Sequence, residues 1–136
     1  MNDQRLRALV IEDDPLIARL IQKILEIEGF EIEKAWNGTE GCARAKEVNF
    51  NLIVLDFHLP DIDGTKVLEC LNACPRTQKT PILLTTAHVK MPFDPSQFGD
   101  RIMMFLEKPF ERRHLVEKVR EIVDSQDTCR TTPDPE

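Results

Sequence analysis

Side chains capable of metal and phosphorus chemistry stand at the ends of four apolar runs in this sequence. Glu12, Asp13 and Asp14 follow "LRALVI", Asp56 closes "NLIVLD", Thr85 and Thr86 close "PILLTT", and Lys108, with Pro109 behind it, ends "IMMFLEK". Carboxylates a few ångströms apart raise one another's pKa and do not all stay ionised unaided. A hard divalent cation such as magnesium, which takes oxygen ligands, removes that conflict. A metal, an ammonium and a hydroxyl gathered around a carboxylate make a site for a phosphoryl group: the two cations bear on its negative charge and the hydroxyl donates to it. Asp56, with a free carboxylate oxygen, is then placed to act as a nucleophile and form an acyl phosphate. Taken singly, these residues have ordinary structural readings as a helix cap, a β-former or a solvated lysine. Their placement at four strand ends is what carries weight.

The runs that must bring these groups together read as strands over 6–12, 30–36, 51–57, 81–87 and 102–108. Short, nearly continuous apolar runs suit parallel strands covered on both faces. Helical patterns lie between them. Ile17, Leu20, Ile21, Ile24 and Leu25 follow helical spacing as one apolar stripe, and Gly29 ends it. Asp14 stands just before Pro15, a residue favoured at the first helical position, which makes Asp14 the N-cap. Asn37 and Glu40 open a second helix over 37–48 at capping-box-like spacing, although Gly41 weakens it. Val67, Leu71 and Cys74 share a face over 63–74, closed by Pro75, and Leu115, Val119 and Ile122 share one over 111–125. Strict β-α alternation predicts an α/β fold with a parallel sheet, right-handed crossovers and helices on both faces. In such sheets functional groups collect at the carboxyl ends of the strands, where all the residues named above stand.

Composition narrows the class. A chain of 136 residues fits one domain. A net charge of −6 argues against direct nucleic-acid binding, which needs a basic face. No apolar stretch approaches the roughly 20 residues of a membrane span, and "MNDQRLR" has no apolar h-region, so a cytoplasmic location is expected. Cys42, Cys70, Cys74 and Cys129 are scattered, as reduced thiols would be; Cys70 and Cys74 alone share helical spacing. The segment from Gln126, "QDTCRTTPDPE", is poor in apolar residues, so the folded domain is expected over 1–125 and a disordered tail or linker over 126–136.

The pieces "LVIEDDP", "LIVLDFHLPDIDG", "PILLTTAH" and "FLEKPF" stand in the order and at the separations of CheY-like receiver domains of two-component response regulators, which the chain resembles from about residue 5 to about residue 125. The resemblance implies a flavodoxin-like five-stranded parallel sheet of order 2-1-3-4-5. It implies that Asp56 accepts a phosphoryl group from a phosphohistidine of a sensor histidine kinase or a histidine phosphotransfer protein, and that the chain then signals to a downstream protein target by contact. Mg2+ (or Mn2+) would be held by Glu12, Asp13, Asp56 and the backbone carbonyl of His58. Asp13 lies 43 residues before Asp56, which aligns the acidic pair as Glu12 and Asp13. Asp13 would bind the metal directly, and Glu12 through water or from just outside the directly bound ligands. Thr86, ahead of Ala87, matches the hydroxyl that turns toward the phosphoryl group, rather than Thr85, which strand alternation points the other way. Phe105 matches the aromatic coupled to that threonine, and Lys108 with Pro109 the Lys-Pro pair, commonly cis. Pro60 and Gly64 shape the loop after Asp56, and Asp63 is a cap for the third helix.

Two departures stand out. Pro92 and Pro95 cannot both lie inside a normal helix, so the fourth helix should be a single turn capped by Asp94, or a loop. His58 and His88 follow Asp56 and Thr86 by two residues each, positions that in the family flank the phosphoryl group and tune its lifetime; two exposed loop histidines are the plain alternative. Two rival functions remain at the level of sequence. One is a receiver-like interaction module that is never phosphorylated. The other is a small magnesium-dependent aspartyl-phosphate phosphatase, which would need a lid and usually a second Asp where His58 stands. The receiver reading makes the chain no enzyme on a separate substrate, although it catalyses its own phosphorylation and dephosphorylation.

Overall fold

The computed structural model describes residues 6–62, 64–87, 101 and 103–130, the last six of these by backbone alone. The elements are β1 (Leu6–Ile11), α1 (Pro15–Ile27), β2 (Phe30–Ala35), α2 (Gly38–Glu47), β3 (Leu52–Asp56), α3 (Gly64–Ala73), β4 (Ile82–Thr86), β5 (Met103–Glu107) and α4 (Arg112–Arg130). All neighbouring strands pair in parallel, in the order β2-β1-β3-β4-β5. The flavodoxin-like sheet expected from the sequence is the observed one. The expected cap Asp63, the loop residues His88 and Asp94, and the short fourth helix lie outside the described residues.

Strand alternation divides the core into two layers. Leu9 and Ile11 of β1, Ile53 and Leu55 of β3 and Leu84 of β4 face α2 and α3, meeting Cys42, Ala45, Val67, Leu68 and Leu71. Ala8, Val10, Leu52, Val54, Leu83 and Leu106 face α1 and α4, meeting Ile21, Ile24, Leu25, Leu115, Val119 and Ile122. The central strands are buried on both sides, which is why they read as continuous apolar runs.

The helices start as their caps dictate. Asp14 accepts hydrogen bonds from the Leu16 and Ile17 N–H groups at 2.9 and 3.4 Å, with Pro15 at the first helical position. Gly29, at φ +100°, takes the left-handed conformation that follows the last turn of α1. Asn37 accepts from Glu40 N–H at 2.8 Å, and the Glu40 carboxylate reaches back to Trp36 N–H at 2.9 Å, one residue before the cap.

Three expectations are corrected. Leu20 is 47% exposed and Ile17 half-buried; the buried seam of α1 is Ala18, Ile21, Ile24 and Leu25. The small Ala18 lets the helix lie close to the sheet, which turns Leu20 outward. In α3, Leu68 is buried and Cys74, one residue beyond the helix, is only half-buried. The last helix continues to Arg130, past the expected end at 125, because neither Gly nor Pro interrupts residues 112–130. Arg120 of α4 holds Glu28, the C-cap of α1, through two hydrogen bonds of 3.0 and 3.3 Å.

Gly41 has a packing reason inside α2. A Cβ there would stand 2.5 Å from Cδ1 and 2.8 Å from Cγ1 of Ile11, so the glycine sets α2 directly on β1. Gly41→Ala should therefore destabilise the protein by about 1–3 kcal/mol despite the better helix propensity of alanine. Urea unfolding checks this, and the double variant with Ile11→Val, which removes Cδ1, should recover part of the loss.

Candidate functional site

Backbone ladders carry the chemically active residues to the carboxyl edge of the sheet. The β1–β2 ladder runs one bond past β1, with Glu12 N–H donating to the Ala35 carbonyl at 3.0 Å. The β3–β4 ladder runs one bond past Asp56, with Phe57 N–H donating to Thr85 at 2.9 Å, and Lys108 N–H donates to the Thr86 carbonyl at 2.7 Å. Glu12, Asp56 and Lys108 are thus fixed at the backbone before any side chain acts. The Lys108–Pro109 peptide is cis, as the resemblance implied.

The side chains meet. One carboxylate oxygen from each of Glu12, Asp13 and Asp56 lies within 4.8 Å of the others. Lys108 Nζ is 3.0 Å from Glu12 Oε1 and 3.4 Å from Asp56 Oδ1. Glu12 and Asp56 are buried, at 1% and 4% exposure, whereas Asp13 and Asp14 are exposed. The other oxygen of Glu12 accepts from Asp14 N–H at 3.2 Å. Asp56 Oδ1 also accepts from the His58 N–H at 3.1 Å, which holds the carboxylate on one side.

Burial pushes the Glu12 carboxyl up to about 7; the Lys108 hydrogen bond opposes that shift and the Asp56 charge adds to it. The site therefore carries more carboxylate than one ammonium neutralises. Three oxygen donors around that deficit, one of them open to solvent, suit a small hard dication. The donor set fits the metal expected from sequence.

The remaining expected residues sort by position. Thr86 is buried at the end of β4. It shares a sheet face with Leu84, and Leu84 pairs in register with Phe105, so Thr86 and Phe105 lie on the α2/α3 side, where half-buried Phe105 packs against the core. Ala87 and the His58 side chain are exposed, the imidazole standing edge-on to Phe57 with ring centroids 5.3 Å apart. His88 is outside the described residues.

Two residues matter that sequence reading passed over. Asp61, in the loop after Asp56, accepts from Gly38 N–H, Thr39 N–H and the Thr39 hydroxyl at 2.8, 2.9 and 2.6 Å. The Thr39 bond, followed by the backbone donors, holds its carboxyl well below the usual range. It clasps the loop after Asp56 to the start of α2. Thr85 is the second: the register sets it directly beside Asp56. The cap expected in "LPDIDG" is Asp63, whereas Asp61 carries no local signal, because its partners Gly38 and Thr39 lie 23 and 22 residues back.

The chain matches the response regulator receiver domain family over residues 8–120. It is 33% identical over 121 residues to the DNA-binding dual master transcriptional regulator RpaA of Synechocystis, covering 89% of this chain and 50% of that protein. The chain thus spans about half the length of that curated relative. A CheY-like receiver domain protein from Methanospirillum hungatei superposes with a TM-score of 0.75 at 31% identity, covering 91% of this chain and 98% of the other. The receiver domain of the Pseudomonas aeruginosa sensor histidine kinase PA1611, with a magnesium ion coordinated in its active site cleft, has a TM-score of 0.76 at 22% identity, with 89% and 99% covered; that likeness is one of fold.

With divalent ions chelated, the raised pKa of Glu12 makes stability depend on pH. The folded state holds the proton up to about 7 and the unfolded state releases it near 4.5, so this contribution is full below about 4.5 and is lost as pH rises through about 7. Thermal melts in EDTA should show that decline, Glu12→Gln should flatten it, and added magnesium should oppose it above pH 7.

Proposed function

We propose that this chain, which belongs to the response regulator receiver domain family, takes a phosphoryl group onto Asp56 from a phosphohistidine-bearing protein and passes the signal on by protein contact. The observation that carries the reading is the buried Asp56 carboxylate, 3.4 Å from Lys108 and grouped with Glu12 and Asp13 at the sheet's carboxyl edge. Glu12, Asp13, Asp56 and the His58 backbone carbonyl are the groups that would hold magnesium or manganese. Such an ion supplies positive charge to the phosphoryl oxygens.

The chain's own residues do the rest. An oxygen of Asp56 attacks phosphorus, the P–N bond of the phosphohistidine breaks, and its electron pair stays on the donor imidazole. Lys108 already bridges toward Asp56, so its ammonium shifts to the arriving phosphoryl oxygens without long travel. Thr86 supplies a hydroxyl at the neighbouring strand end, and Phe105, on the same sheet face, follows its movement. The clasp by Asp61 keeps the loop after Asp56 from collapsing onto the acceptor. An apolar groove of about 390 Å³, lined by Ile17, Leu20, Lys108, Pro109 and Phe110 among others, opens beside Lys108 and gives a donor protein a surface within reach of the site. Among the described residues no helix is long and apolar enough to cross a membrane.

Intact mass after incubation with acetyl phosphate and magnesium tests the reading. One added phosphoryl group is expected, lost in EDTA and absent from Asp56→Asn. No gain with acetyl phosphate or with a phosphorylated histidine donor would return the chain to an interaction module that is never phosphorylated.

A further inference from the structure

Thr85 carries a hydroxyl that is fully buried and has no hydrogen-bond partner among the described residues. Its surroundings explain the methyl group and not the oxygen. Leu83 and Val54 form the apolar layer below it on the same face of the sheet, and Leu106 flanks it on β5. Valine has the same shape and would fill that layer without stranding a donor, and buried hydroxyls ordinarily have a partner. Above the layer the chemistry changes. Thr85 stands in register with Asp56, and Leu106, its partner on the other side, is two residues before Lys108. Side chains paired in register leave the same face, so the hydroxyl lies at the foot of the Asp56–Lys108 ion pair. A single χ1 step exchanges the hydroxyl and methyl of a threonine, and the carboxylate beside it has only acceptors to offer.

We infer that Thr85 is a positioning residue for the phosphorylated state, its hydroxyl donating to the Asp56 oxygen that does not carry phosphorus. The inference rests on Asp56 being the acceptor. Lys108 is shared between Asp56 and Glu12, and once its charge serves the phosphoryl group the non-bridging oxygen of Asp56 keeps the His58 N–H and has a lone pair open to a second donor. Thr85 is the neighbour in place. The consequence falls on hydrolysis. Water oxygen bonds to phosphorus, the bond from phosphorus to the Asp56 oxygen breaks, its electron pair returns to the carboxylate, and the water protons leave with inorganic phosphate. Negative charge grows on Asp56 along that path, and a hydrogen bond to a charged acceptor is stronger than one to a neutral carbonyl. The hydroxyl therefore favours the transition state over the acyl phosphate and shortens its life.

Thr85→Val and Thr85→Ser in the full chain test this by two readouts. Without magnesium, Thr85→Val should melt above the wild type, because the stranded donor is gone. With magnesium and beryllofluoride, a phosphoryl mimic, that advantage should vanish or reverse, and Thr85→Ser should follow the wild type in both conditions. The acyl phosphate of Thr85→Val should last about 3- to 30-fold longer. An equal melting advantage in both states, with an unchanged lifetime, would overturn the role of Thr85 while leaving Asp56 as acceptor. A wild type that neither gains a phosphoryl group nor shifts its melting with beryllofluoride would remove both readings together.

Discussion

A lysine held between two buried carboxylates organises the carboxyl edge of this sheet. Glu12 and Asp56 are almost without water, and burying an unpaired carboxylate costs several kcal/mol. Lys108 offsets part of that cost and lies 96 residues beyond Glu12 in sequence, so their contact forms only when the last strand docks. The Lys108 ammonium, carried from the end of β5, meets carboxylates that project from the ends of β3 and β1. The parallel ladders, the two-sided burial and the exposed position of Asp13 can all be read as the means of holding that crowded charge in place. What the ammonium leaves unneutralised is the site's capacity for a cation.

Much of this was legible because the signals were local. The five strands are short runs whose apolar character reports burial, and their observed bounds differ from the expected ones by at most one residue at either end. Asp14 with Pro15, and Asn37 with Glu40, act within a single helical turn, so their roles follow from adjacency. The site was legible for a different reason. Carboxyl ends of parallel strands lie on one edge whatever the details of packing, so residues that end strands must be neighbours.

The rest needed distances between elements. Helical spacing put Leu20 in the buried stripe of α1, but which flank of a stripe meets the sheet depends on the size of Ala18 and on the angle of the helix. Asp61 reads as one more acid in a turn until α2 is placed over the loop. Thr85 and Thr86 are indistinguishable in type. Alternation alone says they point apart, and the register with β3 decides that Thr85 stands beside Asp56. A helix end is set by what interrupts it, and the polar composition after residue 125 hid the absence of any interruption before Arg130.

The clasp at Asp61 makes the spacing of the three acids doubly determined. The first route from β1 to Asp56 is the hydrogen-bonded ladder with β3. The second leaves β1 through Ile11, enters α2 at Gly41, and returns along the N-terminal turn through Gly38 and Thr39 to Asp61, five residues from Asp56. Together they close a mechanical circuit around the crevice, with the acidic pair on one arm and Asp56 on the other. A ring braced in this way resists widening more than a single hinge would. The separation of its carboxylates is therefore a property of the packed fold and not of three side chains acting alone.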